Sequence, residues 1–121
     1  MKLKILKIDN GGDEMKEAVW LKAQEACNLN QFVLADTTFD EAGKSNLVRH
    51  TFWFPDKAVA KGDYVVVLTR SGTPKKGKTT TGKPLHYLFW NLDHAVWNDD
   101  GDRAVLIEIS DSEAFTVSAE A

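Results

Sequence analysis

Cysteine is nearly absent from this chain: Cys27 stands alone among 121 residues. No intrachain disulfide framework can therefore staple the fold. Long apolar runs are missing as well. The longest, Tyr64 to Leu68, is strand-sized and far short of the roughly 18 residues of a spanning helix. An excess of charge of one sign is also lacking. Fifteen basic residues face 18 acidic ones, a formal net charge of −3, where dedicated nucleic-acid binders carry a basic surplus. With 43% hydrophobic and 27% charged residues, the composition is neither that of a disordered chain nor that of a membrane protein. The length suits one domain, expected over residues 1–121 with a core from about residue 3 to 117 and a polar tail.

The first residues, Met1-Lys2-Leu3-Lys4, have the basic flavour of a signal peptide. Lys7, Asp9 and Asn10 interrupt the apolar stretch that must follow. A cytoplasmic address is the expectation, in keeping with one free cysteine. Lys2 to Asp9 reads as a strand whose phase slips after Ile5, as at a bulge.

Turn signals divide the rest. Asn10-Gly11-Gly12-Asp13 is the first. Glu14 to Cys27 has helix-forming composition, with Met15, Val19, Ala23 and Cys27 repeating at four. Yet Val19, Leu21 and Ala23 also alternate with Trp20, Lys22 and Gln24 as in a strand. Further strands are expected at Gln31–Asp36, Leu47–Phe54, Tyr64–Leu68, Leu85–Trp90, Arg103–Ile109 and around Phe115 and Val117. Asp40 to Lys44 and Trp97 to Asp102 read as polar turns, and Arg70 to Pro84 as a long polar loop. Seven to nine short strands without a βαβ rhythm indicate an all-β sandwich or barrel.

Four pieces in order resemble the lamin tail domain family. Leu29-Asn30-Gln31-Phe32-Val33-Leu34-Ala35-Asp36 is similar to its L-S-G-W-x-L-x-D signature. His50-Thr51-Phe52-Trp53-Phe54-Pro55 is like F-x-F-P, and Ala58 to Val66 is like x-L-x-x-G-x-Y-V-V. Val96-Trp97-Asn98-Asp99-Asp100-Gly101-Asp102, running on to Leu106, is similar to x-W-N-x-x-G-D-x-x-x-L. Gln31 departs from the pattern, standing where the family often has Gly. The resemblance implies an immunoglobulin-like β-sandwich, a strand over Glu17 to Gln24, and an interaction module with no catalytic residues of its own. No coiled-coil heptads accompany it, so filament assembly by lamin's route is excluded.

Chemistry-bearing residues are few. Asn98 to Asp102 offers close oxygen ligands but lacks the distal Glu of a calcium loop, and reads as a turn. His50, His86 and His94 are scattered over separate elements with no paired cysteine, so no metal is expected. Cys27, Ser45, Ser71 and Ser110 lack any nucleophile signature, and neither catalysis nor a cofactor is expected. Gly72 to Thr79 matches G-x-x-x-x-G-K-[ST] letter for letter, but Thr80-Thr81-Gly82-Lys83-Pro84 cannot build the helix a phosphate loop requires.

Two surfaces remain as candidates. Arg70, Lys75, Lys76, Lys78 and Lys83 concentrate five positive charges and no acid between residues 70 and 84, a polyanion contact. Trp53 and Trp90 sit in runs where adjacent bulky residues face opposite ways, so an aromatic protein interface is expected. Of the two, protein contact or self-association is the leading reading and nucleic acid the alternative. No membrane partner is expected.

Overall fold

Between Glu14 and Cys27 the alternation prevails over the helical composition. A single turn closes at Asp13, whose carbonyl accepts from Lys16 and Glu17, and the chain then extends. Tertiary burial of Val19, Leu21 and Ala23 overrides a helix propensity worth only tenths of a kcal/mol per residue. The computed structural model describes residues 1–37, 48–97 and 102–118. The turns expected at Asp40–Lys44 and Asn98–Gly101 lie outside the described residues.

The described strands are β1 (Leu3–Asp9), β2 (Ala18–Ala23), β3 (Cys27–Asn28), β4 (Phe32–Thr37), β5 (Val48–Trp53), β6 (Ala58–Val59), β7 (Tyr64–Leu68), β8 (Lys75–Lys78), β9 (Pro84–Phe89) and β10 (Arg103–Glu108). One turn of 3-10 helix, Leu29–Gln31, precedes β4, and the side chain of Asn28 caps it by accepting from the Asn30 N–H. β1-β2-β7-β9-β8 form one sheet, β10-β4-β5 a second, and β3-β6 a short pair. The protein is all-β. Among the described residues no helix is long and apolar enough to cross a membrane.

The core lies between the two larger sheets. Leu3, Val19, Leu21, Val65, Val67 and Leu88 from the first meet Phe32, Leu34, Phe52 and Leu106 from the second. Period-2 alternation puts these residues on the inner faces. The phase slip in the first strand is a register shift between Ile5 and Lys7. It keeps Leu3 and Ile5 against the core while Leu6 is turned outward.

Two expectations are corrected. Phe115 and Val117 form no strand: they are 93% and 86% exposed. The sheet they would extend already ends where Ile109 donates its N–H to the Gln31 carbonyl. Arg70 to Pro84 is not all loop, since Lys75–Lys78 forms β8 at the outer edge of the first sheet. Its Lys-Lys-Gly-Lys sequence carries no apolar alternation; backbone pairing with β9 holds it there. β9 in turn lies parallel to β7, and β8 is carried on the crossover a parallel pair needs.

Candidate functional site

The basic segment lies along one edge. Lys75, Lys76 and Lys78 stand on β8, Lys83 closes the hairpin to β9, and Arg70 sits at the opposite end beside Phe89. Thr79 and Lys83 fix the hairpin turn: each N–H is taken up locally, by the Lys83 carbonyl and the Thr79 hydroxyl. The glycines have packing roles. A Cβ on Gly72 would fall 2.5 Å from the Phe89 ring, and one on Gly77 would fall 2.9 Å from Tyr87. The residues that spell a phosphate loop are therefore a strand and turn laid under two aromatic rings. No helix amino terminus follows them.

Lys75 leads onto a larger surface, the face of the first sheet turned away from the core. Register places Lys7, Trp20, Val66, Tyr87 and Lys75 in one line across five strands. Beside it runs Lys4, Lys22, Tyr64, Leu85 and Gly77. Each of the three aromatics carries an ammonium: Lys7 is 5.7 Å from the Trp20 ring, Lys22 5.4 Å from Tyr64, and Lys75 5.1 Å from Tyr87. Such pairs are worth roughly 0.5–1 kcal/mol at exposed sites. Two hollows meet at Tyr87. One, of about 190 Å³, lies beside Trp20 and Leu68; the other, of about 430 Å³, runs between Lys57 and the Lys75–Lys76 edge.

Sequence reasoning missed Trp20, Tyr64, Tyr87, Lys4, Lys7 and Lys22 as a group. The usable signal was the alternation of Trp20 and Lys22 against Val19 and Leu21, which assigns both to one outer face.

Trp53 and Trp90 do not share a surface. Trp53 projects from the outer face of the second sheet, 58% exposed, with its indole N–H bonded to the Asn30 carbonyl at 2.8 Å. Ile107 and Val33 complete its cross-strand row. Trp90 instead packs against Phe52 and Trp97 at the core margin and donates to the Thr51 carbonyl at 3.1 Å.

No known family model, curated protein or solved structure matches this chain.

The three histidines each contact a carboxylate. His86, buried, pairs with Asp63 at 3.0 Å. Burial pushes the Asp63 carboxyl up, but the His86 hydrogen bond, the Ala60 N–H and the nearby charges of His86 and Lys76 leave it below the usual range. His50 meets Asp36 at 3.1 Å, and His94 meets Asp93 at 3.0 Å. The hydrogen bond with His94 holds the Asp93 carboxyl below its ordinary value. Scattered in sequence, His50 and His94 nevertheless come together, with their Nε2 atoms 3.1 Å apart. Cys27 sits opposite Val59. Burial pushes its thiol up, Glu108 and Glu25 add to that, and Lys2 opposes it. This is the reverse of an activated nucleophile.

Proposed function

We propose that the chain is a non-catalytic binding module, an immunoglobulin-like sandwich of the lamin-tail type, whose working surface is the lysine-rimmed aromatic face of the first sheet. Its ligand is single-stranded nucleic acid. The observation that carries this reading is the line Lys7–Trp20–Val66–Tyr87–Lys75. Trp20 and Tyr87 stand two strands apart, about 10 Å, on a rigid sheet. Sequence-tolerant binding of single strands uses rings on which bases stack and cations that take the phosphates; here the ammonium over each ring moves aside to a phosphate as a base stacks. Arg70 and Lys83 lie at the two ends of this basic segment, while Lys76 and Lys78 project from the other side of β8. The overall −3 does not oppose the reading, because no acidic residue lies between residues 64 and 92; on the face itself Asp9 pairs with Lys7 at 3.3 Å.

The test is fluorescence anisotropy of a labelled oligothymidylate. Saturable binding that weakens as salt rises is expected. Tyr87→Ala should reduce affinity about tenfold, since one stacked base is worth about 1–3 kcal/mol. Lys75→Glu should reduce both the affinity and its salt dependence. Absence of binding at low salt, or affinity unchanged in the Tyr87→Ala, Lys75→Glu double variant, overturns the proposal.

A second reading, protein contact, is favoured by the row Trp53–Val33–Ile107, with Trp53 58% and Ile107 42% exposed. A hollow of about 600 Å³ adjoins it, lined by Asn30, Trp53, Phe54 and Asp111 among others. Sedimentation of the wild type against Trp53→Ser tests for self-association through this face. Identical monomeric behaviour of both removes that form of the reading.

A further inference from the structure

His50 lies on β5 opposite Asp36, and His94 lies on the segment between β9 and β10. Their rings approach with centroids 5.2 Å apart and planes inclined by 53°. Each ring is held from behind. The Asp36 Oδ1 accepts the backbone N–H of His50 at 2.6 Å and contacts its Nδ1 at 3.1 Å. That oxygen is already an acceptor, so Nδ1 of His50 is the donor. The Asp93 Oδ1 stands 3.0 Å from the Nδ1 of His94, and a carboxylate oxygen accepts, so that Nδ1 is a donor too.

With both Nδ1 atoms protonated, a neutral ring has its remaining lone pair on Nε2. The two lone pairs then face each other across 3.1 Å. A positive centre between the rings relieves that arrangement: a proton shared as an N–H···N bond, or a metal ion held by both nitrogens. We infer that His50 and His94 form a binding site for a divalent ion of the zinc class, with Asp36 and Asp93 as its orienting carboxylates.

Distance, chemistry and access agree. Two imidazole nitrogens at about 2.0–2.1 Å from a tetrahedral zinc stand about 3.3 Å apart, a few tenths of an ångström from the separation present. Metal-binding histidines characteristically give their second N–H to a carboxylate, which fixes the tautomer and the ring's aim; both rings do so here. Imidazole suits zinc, copper and nickel rather than calcium or magnesium. Asp36 is 4% exposed and fixed on its strand, and the edge-on contact of Trp90 with the His50 ring, at 6.4 Å between centroids, steadies it further. His50 and His94 are themselves open to solvent, at 30% and 53%. An ion can enter, and among the described residues no third histidine, cysteine or carboxylate joins the pair. Water or a bound ligand's donor atom fills the remaining positions. Such an ion ties β5 to the segment between β9 and β10.

Titration of the tag-free chain, stripped with a chelator, tests the site by calorimetry with zinc chloride. One equivalent is expected to bind, with a rise in melting temperature. His94→Gln, a change at a half-exposed side chain, should fold normally and lose at least tenfold in affinity. Substoichiometric nickel should broaden the ring resonances of His50 and His94 while sparing His86, which is buried against Asp63. Three results overturn the proposal: no saturable binding by the wild type, equal affinity in His94→Gln, or a pair that only shares a proton, seen as one low-field exchangeable proton that zinc does not displace.

Discussion

The hydroxyl of Thr69 donates to the carboxylate of Glu17 at 2.6 Å, joining two buried side chains that stand 52 residues apart. The same Oε1 accepts the Val96 N–H at 2.6 Å, and Oε2 accepts from Gly12 at 3.1 Å and Trp97 at 3.3 Å. One enclosed carboxylate thus satisfies donors from the β1–β2 turn, the end of β7 and the segment before β10. It is a polar pin through an apolar core.

Replacing Glu17 by Gln puts an amide NH₂ where one set of these donors needs an acceptor. Each buried group left unsatisfied costs about 1–3 kcal/mol, so Glu17→Gln should lose at least about 2 kcal/mol. The corresponding fall in melting temperature is about 10 °C for a domain of this size. Calorimetry or thermal circular dichroism reads it directly; a loss of only a degree or two would show that the pin is dispensable.

Gly11 and Gly77 offer a contrast in kind. A Cβ on Gly11 meets the Trp97 carbonyl oxygen at 2.5 Å, and that peptide segment is tied down by its bonds to Glu17. Gly11→Ala should therefore cost about 1–3 kcal/mol as forced overpacking. At Gly77 the obstacle is the far side of the Tyr87 ring, which can tilt, so Gly77→Ala should cost less than about 1 kcal/mol. Urea midpoints of the two variants, measured side by side, check the order.

Acid should weaken the fold partly through Asp63. Its carboxyl lies below the unfolded value of about 3.9. The stability this supplies is complete above about pH 4 and is lost as pH falls through the folded value. Asp63→Asn should be less stable near neutrality, because the neutral amide replaces a carboxylate facing His86. Its stability should also decline less than that of the wild type between about pH 5 and pH 2. Parallel declines in the two proteins would assign acid sensitivity elsewhere.

Cys27 should resist alkylation. Its thiol is pushed up by burial, so the thiolate fraction near pH 8 is small, and the thiolate is the reacting species. Iodoacetamide should modify the native protein at least about fivefold more slowly than the urea-unfolded chain. Mass spectrometry over a time course measures both rates.

Strand positions were largely legible because they depend on local alternation. Val19 and Leu21, Phe32 and Leu34, Val65 and Val67 each mark an inner face in the sequence itself, and the bulge in β1 is visible as a broken phase. β8 was not legible. Lys75-Lys76-Gly77-Lys78 has poor strand propensity and is held by its partner. The candidate sites were harder, because they are products of register. Trp20 and Tyr87 become neighbours only once β7 lies between β2 and β9, and nothing near Tyr64 announces that β9 joins it in parallel. His50 and His94, 44 residues apart, meet for the same kind of long-range reason. The five basic residues were visible, but not that Lys75 would turn toward the aromatic face while Lys76 and Lys78 take the other side of their strand.

The placement of β1 and β8 at the two margins of the first sheet bears on how copies of this protein behave together. A free margin offers unpaired peptide groups to a neighbouring chain and is the usual starting point for fibrous assembly. Here one margin is bulged at Ile5–Lys7 and the other bears lysine at three of four positions. Two molecules meeting margin to margin would press like charges together across a kinked ladder. Neutralising those lysines, by acetylation or by mutation, removes that safeguard, and concentrated solutions of such a variant should be the first to form aggregates.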